Sequence, residues 1–413
     1  MSDVGNIIRS ARAAIGWTQT DLAQRLHCSR STVSRLETGA TAPRDLDTLR
    51  RLAAILKISP PLLGITTTVT TRPPAETEDD VRRRQLLTSI AVTAAAGPLA
   101  AHATQPTAAR LLLDRVRDAM LGTGPRGAAL ATGSLPSHLN AAIRAYDASQ
   151  WSLLADLLPR LITSGHDAGA QDVLAQTYIL TTRLLIKLDD QLGWMAADRA
   201  RTFADHAGHP LIAAEAARNL AVLARRAGWH SQAADIVLAA AGNQDLQGAD
   251  PAHTAERGLL VMSAAYTAAH AGDRAEMRAL THKAAAIAAG LGPRAVLLDQ
   301  GGGGFSTAAV QLHLISAEYA AGDPAAAIDA ARRVDPRRLP SVERKVRFHT
   351  DVARAFGMWG RRDQCLAALL TAERIAPEET HGKPAVRELV AGLLASGRAT
   401  PELRGLASRC RVR

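Results

Sequence analysis

An all-α protein with at least two domains is the fold class that this sequence predicts. Its 413 residues exceed the size of an ordinary single domain, and 47% of them are hydrophobic, which is enough for more than one core. Aromatic residues make up only 3% of the chain while alanine is abundant. The cores must therefore be built from Ala and Leu at close helix separations, a composition poorly suited to sheets.

Charge and cysteine usage indicate the partner and the compartment. The net charge is +10, and residues 1–74 contain ten Lys or Arg against five Asp or Glu, so half of the excess lies in this short stretch. A basic small domain predicts a polyanionic partner. The cysteines Cys28, Cys365 and Cys410 are far apart and form no Cys-x-x-Cys pair. Neither a disulfide framework nor a zinc site is expected, and a cytoplasmic location fits best.

Two short helices are predicted within "TQTDLAQRLHCSRSTVSRLETG", residues 18–39. Thr18 and Asp21 form a capping box, so the first helix begins at about Gln19. His27 and Cys28 turn the chain, and Ser29 caps a second helix that ends at Thr38-Gly39. The apolar residues predicted to point inward are Leu22, Ala23, Leu26, Val33 and Leu36. The polar residues that remain outside on the second helix are Arg30, Ser31, Thr32, Ser34 and Arg35.

Over residues 5–64 the chain resembles the Cro/C1-type, or Xre-type, helix-turn-helix family. The matching segments are "TQTDLAQRL", "SRSTVSRLETG", "TAPRDLDTLRRLAAILKIS" as a fourth helix, and the closing "PPLLG". The resemblance implies a five-helix DNA-binding domain over residues 1–65, with a double-stranded DNA operator as partner. It also implies a buried ion pair of structural importance between Arg12 and Glu37. His27 stands where the family usually has Gly, and a left-handed conformation there has an energetic cost.

The same resemblance assigns the DNA contacts. In that fold the second helix of the motif enters the major groove. The residues then expected at base edges are Arg30, Ser31, Thr32, Ser34 and Arg35. Arg30 and Arg35 are the main candidates, because arginine binds guanine O6 and N7 bidentately, although a phosphate contact is the alternative for each. Gln19 at the helix start and Arg44 in the following loop are expected to hold phosphates.

Residues 66–107 are predicted to be a linker. The stretch "ITTTVTTRPPAETEDD", residues 65–80, is rich in Thr, Pro and acids and has no helical period. In residues 82–103 an arginine cluster precedes an Ala/Thr-rich run, as in a twin-arginine export signal. That run is broken by Gly97-Pro98 and is short for a membrane span. A structural helix or linker is the favoured interpretation and membrane association the alternative.

Residues 108–413 are predicted to form a tetratricopeptide-like α-solenoid. Apolar residues recur at helical spacing between turns placed at Trp151, Trp194, Trp229, Asp273, Asp323 and Arg361, which lie 35 to 50 residues apart. Stacked helix pairs of this kind form a right-handed superhelix with a concave face. The region also resembles the C-terminal halves of actinobacterial Xre-type regulators through "AAVQLHLISAEYAAGD", "DVARAFGMWGRRDQCLAALLTAERIAPEE" and "PAVRELVAGLL".

No motif in this half indicates catalysis. The glycine run in "DQGGGGFSTAA", residues 299–309, lacks the Lys-Ser/Thr of a phosphate-binding loop and is interpreted as a flexible helix connection. "SGHD", residues 164–167, groups Ser, His and Asp in one predicted loop, which is no catalytic triad. "HAGH", residues 206–209, lacks further metal ligands nearby. We expect no enzymatic activity, no cofactor and no metal.

An effector is expected to bind the concave face. Trp151, Trp194 and Trp229 are assigned to packing between helices. The candidates for effector contact are Phe305, Gln311, His313 and Tyr319, although a core role is equally consistent with His313. The predicted function is a homodimeric, sequence-specific transcriptional regulator whose repeats sense a peptide, a small molecule or a protein. The alternative is an interaction scaffold with auxiliary DNA binding.

Overall fold

The computed structural model describes residues 8–9, 11–12, 17–26, 28–38, 52, 55–56, 107–124, 128–248, 250–299, 301–397 and 399–412. The chain divides into two compact units, residues 1–101 and 102–413. Across the described residues the regular secondary structure is helical, and the only strand-like feature is an isolated antiparallel bridge between Val296 and Phe305. The all-α prediction is confirmed.

The first unit contains the two predicted helices, α1 (Gln19–Leu26) and α2 (Arg30–Thr38). Residues 8–9, 11–12, 52 and 55–56 are also helical. The buried apolar residues that pack together from these segments are Ile8, Leu22, Ala23, Val33, Leu52 and Leu56. The helix bounds and the inward-facing apolar residues agree with the sequence pattern. His27, Arg44, the predicted linker over 65–80 and the segment 82–103 lie outside the described residues.

The second unit begins with α3 (Ala108–Leu121), α4 (Leu135–Asp147), α5 (Trp151–Ala168), α6 (Gln171–Leu188), α7 (Leu192–Ala207), α8 (Pro210–Arg226), α9 (His230–Ala241) and α10 (Pro251–His270). It continues with α11 (Arg274–Gly290), α12 (Thr307–Ala320), α13 (Pro324–Arg332), α14 (Val342–Met358), α15 (Arg362–Ile375), α16 (Pro377–Gly382), α17 (Pro384–Ala395) and α18 (Pro401–Arg409). Within the residues that the structure describes, none of the helices combines the length and apolarity needed to cross a bilayer.

Neighbouring helices of this unit pack in repeat-like pairs. α4 packs on α5, α6 on α7, α8 on α9, α10 on α11, α12 on α13 and α14 on α15. The residues chosen from the sequence as turn markers stand at the start of the second helix of each pair. Trp229, Asp273, Asp323 and Arg361 directly precede α9, α11, α13 and α15. Asp273 and Asp323 cap these helices, accepting hydrogen bonds from the backbone N–H of Glu276 and of Ala326, both at 2.9 Å.

The first helices of the pairs form a closed inner ring. α4, α6, α8, α10, α12 and α14 contact one another in chain order, and α14 contacts α4. The predicted concave face therefore surrounds an internal space. Ring closure was not anticipated, because a solenoid built only from nearest-neighbour contacts stays open.

Contacts between α16 and the beginning of the unit reinforce the closure. Ser149 Oγ donates a hydrogen bond of 2.5 Å to Glu379 Oε2, and Lys187 Nζ lies 2.9 Å from Glu379 Oε1. The buried Trp151 ring lies against Gly382, where a Cβ would come within 2.4 Å of Trp151 Cζ3. A Cβ at position 382 would not fit, so glycine permits this close approach of α16 to Trp151 at the start of α5.

Candidate functional site

The second helix of the N-terminal unit presents a polar outer face. Val33 and Leu36 are buried on its inner side, while Arg30, Ser31 and Arg35 are exposed. Thr32 and Ser34 are half-buried. An exposed helix face that carries two arginines and three hydroxyl side chains can donate hydrogen bonds to base edges and to phosphates.

Capping residues fix the starts of both helices. Asp21 Oδ2 accepts the Thr18 N–H at 2.7 Å, and Thr18 Oγ1 accepts the Asp21 N–H at 3.2 Å. This reciprocal pair lowers the pKa of Asp21, chiefly through the Thr18 hydroxyl. At the second helix, Ser29 Oγ accepts the Thr32 N–H at 3.2 Å. The N-terminal end of α2 is thereby set by local interactions alone.

Glu37 connects three parts of the N-terminal unit. Its side chain is buried, and Arg12 contacts both oxygens, with Nε 2.5 Å from Oε1 and Nη2 3.1 Å from Oε2. Gln19 Nε2 donates to Glu37 Oε2 at 2.9 Å, and Arg9 Nη2 donates to the Glu37 carbonyl at 3.0 Å. The end of α2 is thus tied to the start of α1 and to the helical segment that precedes it.

The charges around Glu37 keep it ionised. Burial raises the pKa of its carboxyl, but the hydrogen bonds from Arg12 and Gln19 and the charges of Arg12 and Arg9 outweigh burial, so the pKa lies below its usual range. Sequence reasoning missed Arg9. The signal was its position three residues before Arg12, which places both on one face of a helix.

The Gln19 side chain is directed toward Glu37 in this structure. A phosphate contact by Gln19 therefore depends on its backbone N–H at the helix start, or on a different side-chain position. Arg44, the other residue expected at a phosphate, is not among the described residues.

The inner ring of the second unit lines a cavity of about 310 Å³. Its wall is rich in cations, with Arg183 and Lys187 on α6, Arg218, Arg225 and Arg226 on α8, Arg344, Arg347 and Arg354 on α14, and Lys383 on the loop before α17. Two carboxylates line it, Glu343 and Asp351. Among the described lining residues, cations therefore far outnumber carboxylates.

Several of these cations are paired within the wall. Glu215 binds Arg183 and Arg218, whose Nε atoms lie 3.0 Å and 2.6 Å from its oxygens. These charges lower the pKa of Glu215 to about 2, although burial acts in the opposite direction. Lys187 Nζ lies 2.9 Å from both Glu343 Oε1 and Glu379 Oε1. These pairs fix the ring, and they leave other cations for a ligand.

Arg225 has no carboxylate within 4 Å among the described residues, although its side chain is buried. Its guanidinium donates weakly to the Ser263 carbonyl at 3.4 Å and to Thr267 Oγ1 at 3.2 Å, and it lies 4.5 Å from the Tyr266 ring centre. Burial lowers the pKa of Arg225 to about 10, aided by the charges of Arg347 and other arginines. A buried guanidinium without a counter-charge is costly.

Histidines near Arg225 respond to the same positive field. Burial, with the charges of Arg225 and Arg354, lowers the pKa of His270 to about 4. Burial and the charges of Arg347 and Arg344 hold the pKa of His313 well below its usual value. The neutral form of both imidazoles is therefore favoured at pH 7.

The four effector candidates from the sequence are distributed differently. His313 lines the cavity, and its Nδ1 is buried without a hydrogen-bond partner in the described structure. Tyr319 lies beside the cavity, with its ring 4.5 Å from the guanidinium of the lining residue Arg354. Gln311 is half-buried and is not a lining residue. The prediction that Phe305 contacts an effector is wrong, because its side chain is fully buried against Gly258 in an apolar cluster.

The glycine run contributes Gly302 to the cavity wall. It joins α11 to α12 as expected, but Gly301, Gly302, Gly303 and Gly304 all have positive φ angles. Gly302 N–H donates to Asp147 Oδ1 at 2.9 Å, and its carbonyl accepts from Arg344 Nε at 2.6 Å. This loop therefore also contacts α4 and α14, which its interpretation as a flexible helix connection did not include.

Two other motifs are also placed. Residues 164–167 lie inside α5 rather than in a loop, and His166 Nε2 is 2.8 Å from Tyr178 Oη. His206 lies in α7 while His209 precedes α8. Within the described ranges, no group of three or more His, Cys, Asp or Glu side chains is arranged to hold a metal ion.

Comparison with known proteins gives one match. The family model described as a helix-turn-helix domain matches residues 3–63, which include α1 and α2. No curated protein and no solved structure matches the chain. The chain carries an N-terminal helix-turn-helix domain, and this domain indicates DNA binding.

Proposed function

We propose that this protein is a sequence-specific transcriptional regulator of the Xre, or Cro/C1, type that binds a double-stranded DNA operator as a homodimer in the cytoplasm. The observation that carries the proposal is the exposed polar face of α2 within a matched helix-turn-helix domain. Arg30 and Arg35 are the residues proposed to read bases, with Ser31, Thr32 and Ser34 beside them. Arg12 and Glu37 maintain the orientation of that helix.

A homodimer is part of the proposal because one recognition helix contacts only a few base pairs. Two helix-turn-helix domains bound in successive major grooves, about 34–36 Å apart, increase both the affinity and the specificity of DNA binding. The repeat unit is proposed to bind an effector. Binding would shift the population of dimer conformations and so change the spacing of the two helix-turn-helix domains. We further propose that the protein is not an enzyme and that the repeat unit binds its effector without changing it chemically.

The test is selection of bound fragments from random-sequence DNA by the full-length protein, at low and near-physiological salt. The expected result is an inverted repeat that remains enriched at the higher salt. Replacing Arg30 and Arg35 by Ala should remove the preference at the corresponding positions and weaken operator binding at least about tenfold, because each base contact contributes about 1–3 kcal/mol.

The matched control is the double variant Arg110→Ala and Arg201→Ala. Both residues are exposed arginines of the second unit, in surface pairs with Asp114 and Asp198. The control also removes two positive charges, but from residues outside the DNA-binding domain. It should therefore retain the operator preference. Full sequence preference in the Arg30/Arg35 variant would refute the assignment, and equal losses in both variants would indicate phosphate attraction alone.

A further inference from the structure

The cavity of the second unit carries more positive than negative charge among the described residues of its wall. Nine cationic side chains line it against two carboxylates. Four more carboxylates, those of Glu215, Glu379, Asp147 and Asp189, contact lining residues. Among the described residues, cations still outnumber these carboxylates by nine to six. A cavity with such an excess of positive charge favours an anionic occupant.

Specific donors remain for such an occupant. Arg225 is 5% exposed and makes only two long hydrogen bonds, although a guanidinium has five N–H donors. Ser263 Oγ and His313 Nδ1 are buried lining atoms without partners in the described structure. Arg354 stacks on Tyr319 and has no carboxylate within 4 Å among the described residues. These groups come from four helices of the ring, α8, α10, α12 and α14, so they face a common space.

We propose that this cavity binds a small organic molecule that carries a phosphate group, and that Arg225 and Arg354 are its main anchors. The proposal deepens the proposed function and rests on it only in naming this molecule as the effector. A phosphate group has three strong acceptor oxygens, and the planar guanidinium group of arginine can donate two hydrogen bonds to them at once. A cavity of about 310 Å³ lies at the lower end of the range for small-molecule sites, roughly 300–1,000 Å³.

A peptide is less well matched to this wall. Bound peptides use main-chain hydrogen bonds together with apolar pockets for alternate side chains. Among the described lining residues, the aliphatic side chains are those of Ile186, Val222 and Ala385, against nine cationic side chains. An acidic peptide is therefore an outcome that the experiment must separate from a phosphate compound.

The experiment is isothermal titration of the full-length protein, without DNA and at constant ionic strength. The probes are pyrophosphate, adenosine 5′-monophosphate, succinate and a tetraglutamate peptide, with chloride as the salt control. The expected result is saturable binding of at least one of the two phosphate probes. Binding should weaken about tenfold or more in Arg225→Met and in Arg354→Met, since each loses charge-assisted hydrogen bonds.

Arg201→Met is the matched control because Arg201 is exposed on α7, away from the lining residues. It should bind the probes as the unaltered protein does. Thermal unfolding without probes should show that Arg225→Met is at least as stable as the unaltered protein, because methionine removes an uncompensated buried charge and keeps the apolar stem. If Arg225→Met does not fold, Arg354→Met, at a half-buried position, decides the result.

Two outcomes would overturn the proposal. One is saturable binding of succinate or tetraglutamate with none of the phosphate probes, and the other is no saturable binding by any probe. Phosphate binding that is equal in the unaltered protein and both cavity variants would also refute the assigned anchors. The result is independent of the DNA selection, so loss of operator preference in Arg30/Arg35 variants and loss of phosphate binding in Arg225 variants test separate statements.

Discussion

Replacing Glu37 by Gln should loosen the helix-turn-helix domain without affecting the second unit. The Glu37 side chain is 1% exposed and pairs with Arg12, which is 14% exposed. Removing one partner of a buried ion pair costs about 3–5 kcal/mol. Arg9, the outer partner, is 49% exposed, and Gln retains one acceptor oxygen, so we expect a loss smaller than that range, about 2–3 kcal/mol.

Hydrogen–deuterium exchange of the full-length protein measures this local stability. Each 1.4 kcal/mol corresponds to a factor of ten, so amides of residues 19–38 should exchange roughly 30- to 150-fold faster in Glu37→Gln. Peptides from the second unit should be unchanged. Asp198→Asn is the charge-matched control, because Asp198 is an exposed partner of Arg201 in the other unit.

The pH dependence gives the same prediction a second test. The pKa of Glu37 is lowered in the folded state, so its stabilisation is present above the ordinary carboxyl pKa of about 4.3 and is lost as pH falls through the folded value. The difference between the two proteins should therefore be full at pH 7 and shrink below about pH 4. An exchange difference under about threefold at pH 7 would refute the role assigned to Glu37.

Two further predictions concern the second unit and are tested by thermal unfolding. Gly304→Ala should destabilise it by about 2–4 kcal/mol, because the new Cβ would lie 2.1 Å from the Val296 carbonyl oxygen at a φ of +66°. Gly322→Ala, with φ of +80° and no atom within 4 Å, should lose only about 1 kcal/mol, and equal losses would contradict the steric argument. Burial and the nearby Glu215 raise the pKa of Glu256 to about 8, so its neutral form is favoured in the folded state and stability is lost as pH rises toward that value. Glu256→Gln should therefore match the unaltered protein near pH 5 and exceed it at pH 9, whereas a pH-independent difference would contradict the assigned pKa.

Much of the local structure was predictable because it depends on neighbours in sequence. The capping residues Thr18 and Asp21 set the start of α1 through contacts three residues apart. Trp229 and Asp273 directly precede helices, as predicted. Their positions were visible in the sequence because the helical spacing of apolar residues is interrupted at each turn and resumes after it. The Arg12–Glu37 contact was accessible only through the family resemblance, as 25 residues separate the pair.

The charged lining of the cavity could not be predicted from the sequence pattern. Arg344, Arg347, Asp351 and Arg354 recur at spacings of three and four, so one charged face of α14 was visible in the sequence. Such a face ordinarily contacts solvent, and nothing local distinguishes it from one that faces a cavity. The same spacing on an outer helix would have no binding role.

Helix content, helix starts and the polar face of α2 were determined by the sequence alone, because hydrophobic period and capping act within a few residues. The tertiary structure decided that α14 returns to α4, that Gly302 joins Asp147 to Arg344, and that Phe305 faces the core. These contacts join residues tens to hundreds of positions apart. They depend on how each of the six helix pairs is rotated relative to the pair before it, and local sequence patterns do not specify these rotations.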